Sequence, residues 1–148
     1  MQKDLWLKEM HAIIDKRIAQ YRQDITAAEE SRNTATKSSA GDKHETARAL
    51  MQNELENLEN QLSATLSLKN NLSRIPVSAN QESIAFGSLI KTDQGLFFIS
   101  VSLGKISLGN HSCYALSPMA PLANRLIGHT IGDRVRFREK TYAILEIQ

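Results

Sequence analysis

Asp42 and Glu45 stand three residues apart in Gly41-Asp-Lys-His-Glu45, directly after a polar stretch of chain. In the first turn of a helix that spacing puts both carboxylates near the same helix end. Two chemistries follow from it. Asp-x-x-Glu is a capping-box-like signature, in which Asp42 accepts from a backbone N–H and Glu45 reaches back. The same pair offers oxygen ligands to a hard cation such as Mg²⁺, which wants six oxygens and is usually held by carboxylates together with waters or phosphates. Two carboxylates alone would hold it weakly. His44, between them, reads first as a solvated histidine and second as an added ligand.

Three other places could carry chemistry. His111 and Cys113 lie two apart, a pair that reads as a strand with one buried thiol more readily than as a catalytic dyad, because no third partner is evident. Arg134, Arg136 and Arg138 alternate with Val135 and Phe137 and, with Lys140, form a basic stripe. Such a stripe is a solvated strand face or a contact for RNA or an acidic protein. Ser117-Pro118 has the form of a helix N-cap followed by proline at the first helical position, opening a helix that closes at Gly128.

The elements that must position these residues fall into two parts. Leu7, His11, Ile14, Ile18, Tyr21, Ile25 and Ala28 follow 4,3,4,3 spacing, and Met51, Leu55, Leu58, Leu62, Thr65, Lys69 and Leu72 repeat it. Each stripe is a helical seam in need of a partner, and the simplest partner is the other stripe. Residues 1–75 therefore form a long antiparallel coiled-coil hairpin, with Glu54, Glu56 and Glu59 on solvated faces. The Ser/Thr/Asn-rich segment from Ser31 marks the break, Gly41 suits a left-handed position, and the second helix restarts near Asp42, so the tip lies at about 37–46. Residues 76–148 change character: they hold six of the seven glycines, all three prolines, and six of the seven Phe and Tyr. Strands are expected at 86–90, 96–103, 105–108, 112–116, 134–138 and 141–147, with turns at 92–95 and 132–133. With one short helix across them they make a small domain on an antiparallel sheet. The fold class is α+β.

Composition bounds the function. The chain has 148 residues, one cysteine and a formal charge of +2. One cysteine excludes an intrachain disulfide and fits a reducing compartment. No apolar run approaches the ~20 residues of a membrane helix, and the N-terminus lacks a signal peptide's hydrophobic stretch, so a cytoplasmic location is expected. Residues 1–75 carry 11 Lys+Arg against 11 Asp+Glu, and residues 76–148 carry 7 against 5. The rod is neutral and the second part mildly basic.

The second part also carries a resemblance. Ser117-Pro-Met-Ala-Pro-Leu-Ala-Asn-Arg-Leu-Ile-Gly128, then Ile131-Gly-Asp-Arg-Val135, then Thr141-Tyr-Ala-Ile-Leu-Glu-Ile147 resembles the C-terminal FKBP-like domain of the Gre-type transcript cleavage factors of bacterial RNA polymerase. Gly87-Ser-Leu-Ile90 resembles the start of that domain, and Gly41-Asp42-Lys-His-Glu45 the family's Gly-Asp-x-x-Glu at the coiled-coil tip. The resemblance implies a non-enzymatic factor, monomeric by preference, that binds RNA polymerase, enters its secondary channel and stimulates the polymerase's own cleavage of backtracked RNA. It further implies that Asp42 and Glu45 help hold Mg²⁺ shared with the polymerase active site, and that Ser117 and Pro118 dock at the channel rim. The sequence also departs from the family. Thr46-Ala47-Arg48-Ala49 replaces Asn-Ala-acid-Tyr after the glutamate, and the segment before Gly128 is about three residues longer. A non-cleaving channel regulator and an FKBP-like peptide-binding module are accordingly the second and third expectations.

Overall fold

The computed structural model describes residues 2–37, 42–78 and 80–148, and the side chains of all of these except 35–37 and 42–44. Two long helices open the chain, α1 (Lys3–Lys37) and α2 (Asp42–Ser73). Six strands follow: β1 (Leu89–Thr92), β2 (Gly95–Ile99), β3 (Gly104–Leu108), β4 (His111–Leu116), β5 (Arg134–Phe137) and β6 (Lys140–Ile147), with the short helix α3 (Pro121–Leu126) between β4 and β5. The fold is α+β, as the periodicities require. Among the described residues no helix is long and apolar enough to cross a membrane.

Every residue of the two seams is buried or half-buried, while Glu54, Glu56 and Glu59 are exposed. Two side-chain contacts fix the pairing. Lys69 Nζ donates to Asp15 Oδ1 at 2.7 Å, and Arg32 Nη1 donates to Gln52 Oε1 at 3.1 Å. From Asp15 to Arg32 is 17 residues up α1, and from Lys69 to Gln52 is 17 residues down α2. The helices therefore run antiparallel without a register slip between those rungs. Ile14, Ile18, Ala28 and Leu55 are the buried apolar side chains there. Each such burial contributes about 1.5–3 kcal/mol, against 0–1 kcal/mol for an exposed ion pair like Asp15–Lys69, so the seam sets stability and the rungs set register.

The expected break at Ser31 does not occur, since α1 continues to Lys37. Its polar residues are accommodated because they bond within the helix. Thr34 Oγ1 donates to the Glu30 carbonyl at 2.9 Å, as Thr26 does to Arg22 at 3.0 Å, so these hydroxyls do not draw the backbone into a turn.

The sheet order is β3-β4-β2-β1-β6-β5, antiparallel throughout except that β4 runs parallel to β2. The mostly antiparallel sheet is as expected, with this one parallel pair added. The pair arises because 100–103 leave the ladder and carry the chain past β4's place to the edge, so β3 forms outside and β4 returns alongside β2. The strand expected at 96–103 accordingly ends at Ile99. The strand expected at 86–90 is displaced to Leu89–Thr92, because 85–88 form a turn closed by Ser88 N–H on the Ala85 carbonyl at 3.0 Å. Gly87 sits in that turn at φ +91°, and a Cβ there would lie 3.3 Å from Ile75 Cγ2, so both conformation and space call for glycine.

Packing divides the chain into two compact units, one comprising Met1–Ala12 with Asn70–Gln148, the other Ile13–Lys69. The composition break at 76 marks where helix gives way to sheet, whereas these boundaries mark where the helices change neighbours. On one sheet face Ile90, Phe97, Ile99, Val135, Tyr142 and Ile144 close over Ala123 and Leu126 of α3. Leu89 and Phe98, alternate to these and so on the other face, are fully buried too. Trp6 shares the lining of one groove with Lys91 and Leu96, which are on that second face, and the first turns of α1 belong to the same unit as the sheet. A strand pair covered on both sides explains why 96–99 reads Leu-Phe-Phe-Ile without alternation.

Lys3 pays the cost of that packing. It is 4% exposed, its Nζ has no hydrogen-bond partner among the described residues, and burial lowers its pKa below the ordinary 10.5. The folded state therefore binds this proton less well than the unfolded chain, so stability is held back at neutral pH and recovers as pH rises through the unfolded value. Lys3→Met is expected to add about 1–3 kcal/mol at pH 7, the usual cost of an unsatisfied buried polar group. The gain should shrink as pH rises toward about 10.5 and level off above it, where the lysine is neutral in both states. Thermal melts of the two proteins at neutral and alkaline pH measure both; equal melting at pH 7 would show that Lys3 is not strained by burial.

Candidate functional site

Asp42 is the first residue of α2 and Glu45 lies in its first turn. Their spacing on one helix end is therefore as the sequence requires. The Glu45 side chain is exposed; those of Asp42 and His44 lie outside the described residues, as does Gly41. α1 ends at Lys37, and α2, which runs antiparallel to it through the Arg32–Gln52 rung, begins at Asp42. Beyond Glu45 the first turns are polar and open: Thr46 and Arg48 are exposed and Ala47 is half-buried on the seam side. Among the described residues no three His, Cys, Asp or Glu side chains gather into a metal-binding group.

Ser117 and Pro118 lie 72 or more residues beyond Glu45 and belong to the sheet unit. Their expected place at the start of the helix is corrected. Ser117 is not a helix N-cap: its hydroxyl accepts the Met119 N–H at 3.1 Å and its carbonyl accepts the Ala120 N–H at 2.9 Å, closing a separate turn. The helix starts three residues later, with Ala120 at the N-cap and Pro121 within its first two positions. Residues 117–120 thus form a turn of their own ahead of the helix. It presents Met119, 89% exposed. The helix ends at Leu126, and Gly128 follows at φ +92° with its N–H on the Ile84 carbonyl at 2.8 Å.

The chain matches no protein-family model, and no characterised protein matches it.

Cys113 is inert as a nucleophile. It is buried, and burial pushes its thiol up to about 12, so the thiolate is scarce at neutral pH, while His111 stands exposed at the start of β4. Arg134 and Arg136 lie on the outer face of β5 as the alternation requires, and Arg138 stacks 4.9 Å over the Phe137 ring. The structure adds Arg125, whose guanidinium donates to the Arg136 carbonyl at 3.1 Å. Spacing gave no sign of that residue; only its place in the last turn of α3, where a cation suits the helix dipole, hints at exposure.

Asp133 shapes the turn that leads into β5. Its carboxylate accepts the Thr130 N–H at 2.9 Å and meets His129 Nδ1 at 3.0 Å, and these bonds, the backbone one foremost, hold its pKa below the ordinary range. That carboxylate is committed to its turn and leaves the adjacent arginines unneutralised.

Proposed function

We propose that the chain is a polymerase-binding factor that enters the secondary channel of RNA polymerase with its helical hairpin and stimulates Mg²⁺-dependent cleavage of backtracked RNA. The observation that carries the reading is that α2, which runs antiparallel to α1, begins at Asp42 with Glu45 in its first turn. The Gre-type resemblance supplies the partner. Held there, Mg²⁺ would polarise a water toward the RNA phosphate. The work of this chain is narrower. Asp42 and Glu45 contribute carboxylate oxygens, and the seam holds the helix that bears them. A site with too few ligands of its own suits a factor that is inert until the polymerase and RNA phosphate complete it. The 117–120 turn, with Met119 exposed at its crest, supports rim docking, since apolar anchors dominate binding energy at protein interfaces.

The test adds the purified chain and Mg²⁺ to a backtracked polymerase complex and follows release of short 3′ RNA fragments. Release above the polymerase-only rate is the expected result. Arg48, exposed one turn beyond Glu45, favours a second reading in which the chain occupies the channel without cleaving. Slowed elongation with no fragments would establish that reading and overturn the first.

A further inference from the structure

The β5–β6 hairpin carries more unpaired positive charge than any role above uses. Arg125, Arg134, Arg136, Arg138 and Lys140 are all exposed and surround one four-residue edge strand. None has a carboxylate within 4 Å among the described residues, whereas Lys91 and Lys69 are each paired with an acid. Asp133 is engaged by its own turn, which leaves Glu139 as the sole acid between Arg134 and Lys140.

The geometry orders these cations. Arg134 pairs across with Ala143 and Arg136 with Thr141, so small partners leave both guanidiniums unobstructed on the outer face. Alternate strand residues are about 6.6–6.8 Å apart, a spacing set by the backbone. Arg125 is fixed at the strand's free edge by its bond to the Arg136 carbonyl, and Arg138 is fixed at the turn by Phe137. Arg138 holds φ +57° in a two-residue turn where glycine or asparagine would be easier, so an exposed arginine is kept at a position that disfavours it.

We propose that this edge is a ridge that binds the phosphodiester backbone of a single-stranded nucleic acid. Four of the five cations are arginines, whose planar forks match phosphate oxygens in a way an ammonium does not. Within the ridge Val135 is buried and Phe137 is half-buried beneath Arg138, so the surface between Arg134 and Lys140 is cationic, with the exposed Leu145 and Ile131 flanking it. Closely spaced cations of this kind match a phosphate backbone, whose contacts position a nucleic acid without reading its bases. The ridge goes beyond the tip reading and is independent of the tip acids, and its test contains no polymerase, so either can fail alone.

The experiment follows fluorescence anisotropy of a labelled single-stranded RNA of about 20 nucleotides, longer than one footprint, titrated with the full chain over a range of salt. About three phosphate contacts predict a slope of log affinity against log salt of roughly −2, at ~0.7 per phosphate. Arg134→Ala with Arg136→Ala should weaken binding on the order of tenfold at about 50 mM salt and flatten the slope by roughly 1.4. Lysine at both positions should retain the slope, and a DNA strand of equal length should compete equally, because charge and spacing are read rather than the sugar. Lys105→Ala, an exposed cation on the opposite edge strand, should change nothing. The variants alter exposed side chains, and unchanged melting confirms that they fold. No binding at the lowest salt overturns the proposal, as does a double variant that binds like the parent. Capture of poly-L-glutamate but not RNA would assign the ridge to an acidic protein and overturn it equally.

Discussion

Replacing Asp42 by Asn together with Glu45 by Gln is expected to abolish stimulated RNA cleavage, by on the order of 100-fold or more, while leaving the melting temperature unchanged. The choice of amides separates the two chemistries that the Asp-x-x-Glu spacing allows. Asparagine caps a helix as well as aspartate does, and glutamine serves in a capping box as glutamate does. If the acids only cap α2, both properties survive the change. If they donate anionic oxygens to a cation, cleavage disappears and the helix does not notice. Binding of the variant to polymerase should persist, because neither residue lies in the sheet unit that carries Ser117 and Pro118. Cleavage undiminished in the amide variant would remove Asp42 and Glu45 from the mechanism. A fall in melting temperature alongside lost cleavage would instead indicate that the substitutions had unwound the start of α2.

Phe98→Ala is expected to cost about 3–5 kcal/mol, the largest effect of any single truncation in the sheet unit. Phe98 is fully buried in β2, between β1 and β4, on the face opposite α3. Its aromatic ring has backbone-rigid strands on either side, so little can collapse into the space left behind. For a chain of this length the melting temperature should fall by roughly 2–4 °C per kcal/mol. Leu50→Ala, at a residue 65% exposed on α2, should stay within about 0.5 kcal/mol of the parent. Denaturant unfolding of the three proteins decides the matter. A loss below about 1 kcal/mol at Phe98 would mean that the second sheet face is not a packed layer.

The seams were legible in the sequence because a helix repeats its faces every 3.6 residues, so Leu7 to Ala28 and Met51 to Leu72 announce a buried stripe without any knowledge of the partner. The helix end was less so. Ser31 and Thr34 carry a loop-like composition, yet Thr34 satisfies its hydroxyl on the Glu30 carbonyl and the helix runs on to Lys37. Composition describes what side chains prefer; it does not record which acceptor lies within reach. Ser117-Pro118 failed similarly, since a serine hydroxyl closes a turn or caps a helix with the same chemistry, and Pro121, three residues on, is an equally good first helical residue.

The sequence by itself determined the helical hairpin, the place where α2 begins, the alternation that exposes Arg134 and Arg136, and the three-residue spacing of Asp42 and Glu45. All of these follow from local periodicity and turn chemistry, which act between near neighbours. Only the tertiary structure decided that β4 runs parallel to β2, that Phe98 is buried on a second covered face, that Lys3 is buried without a partner, and that Arg125 joins the basic edge. Each of these joins residues distant in the chain, and a one-dimensional pattern holds no information about which distant surface will close over it.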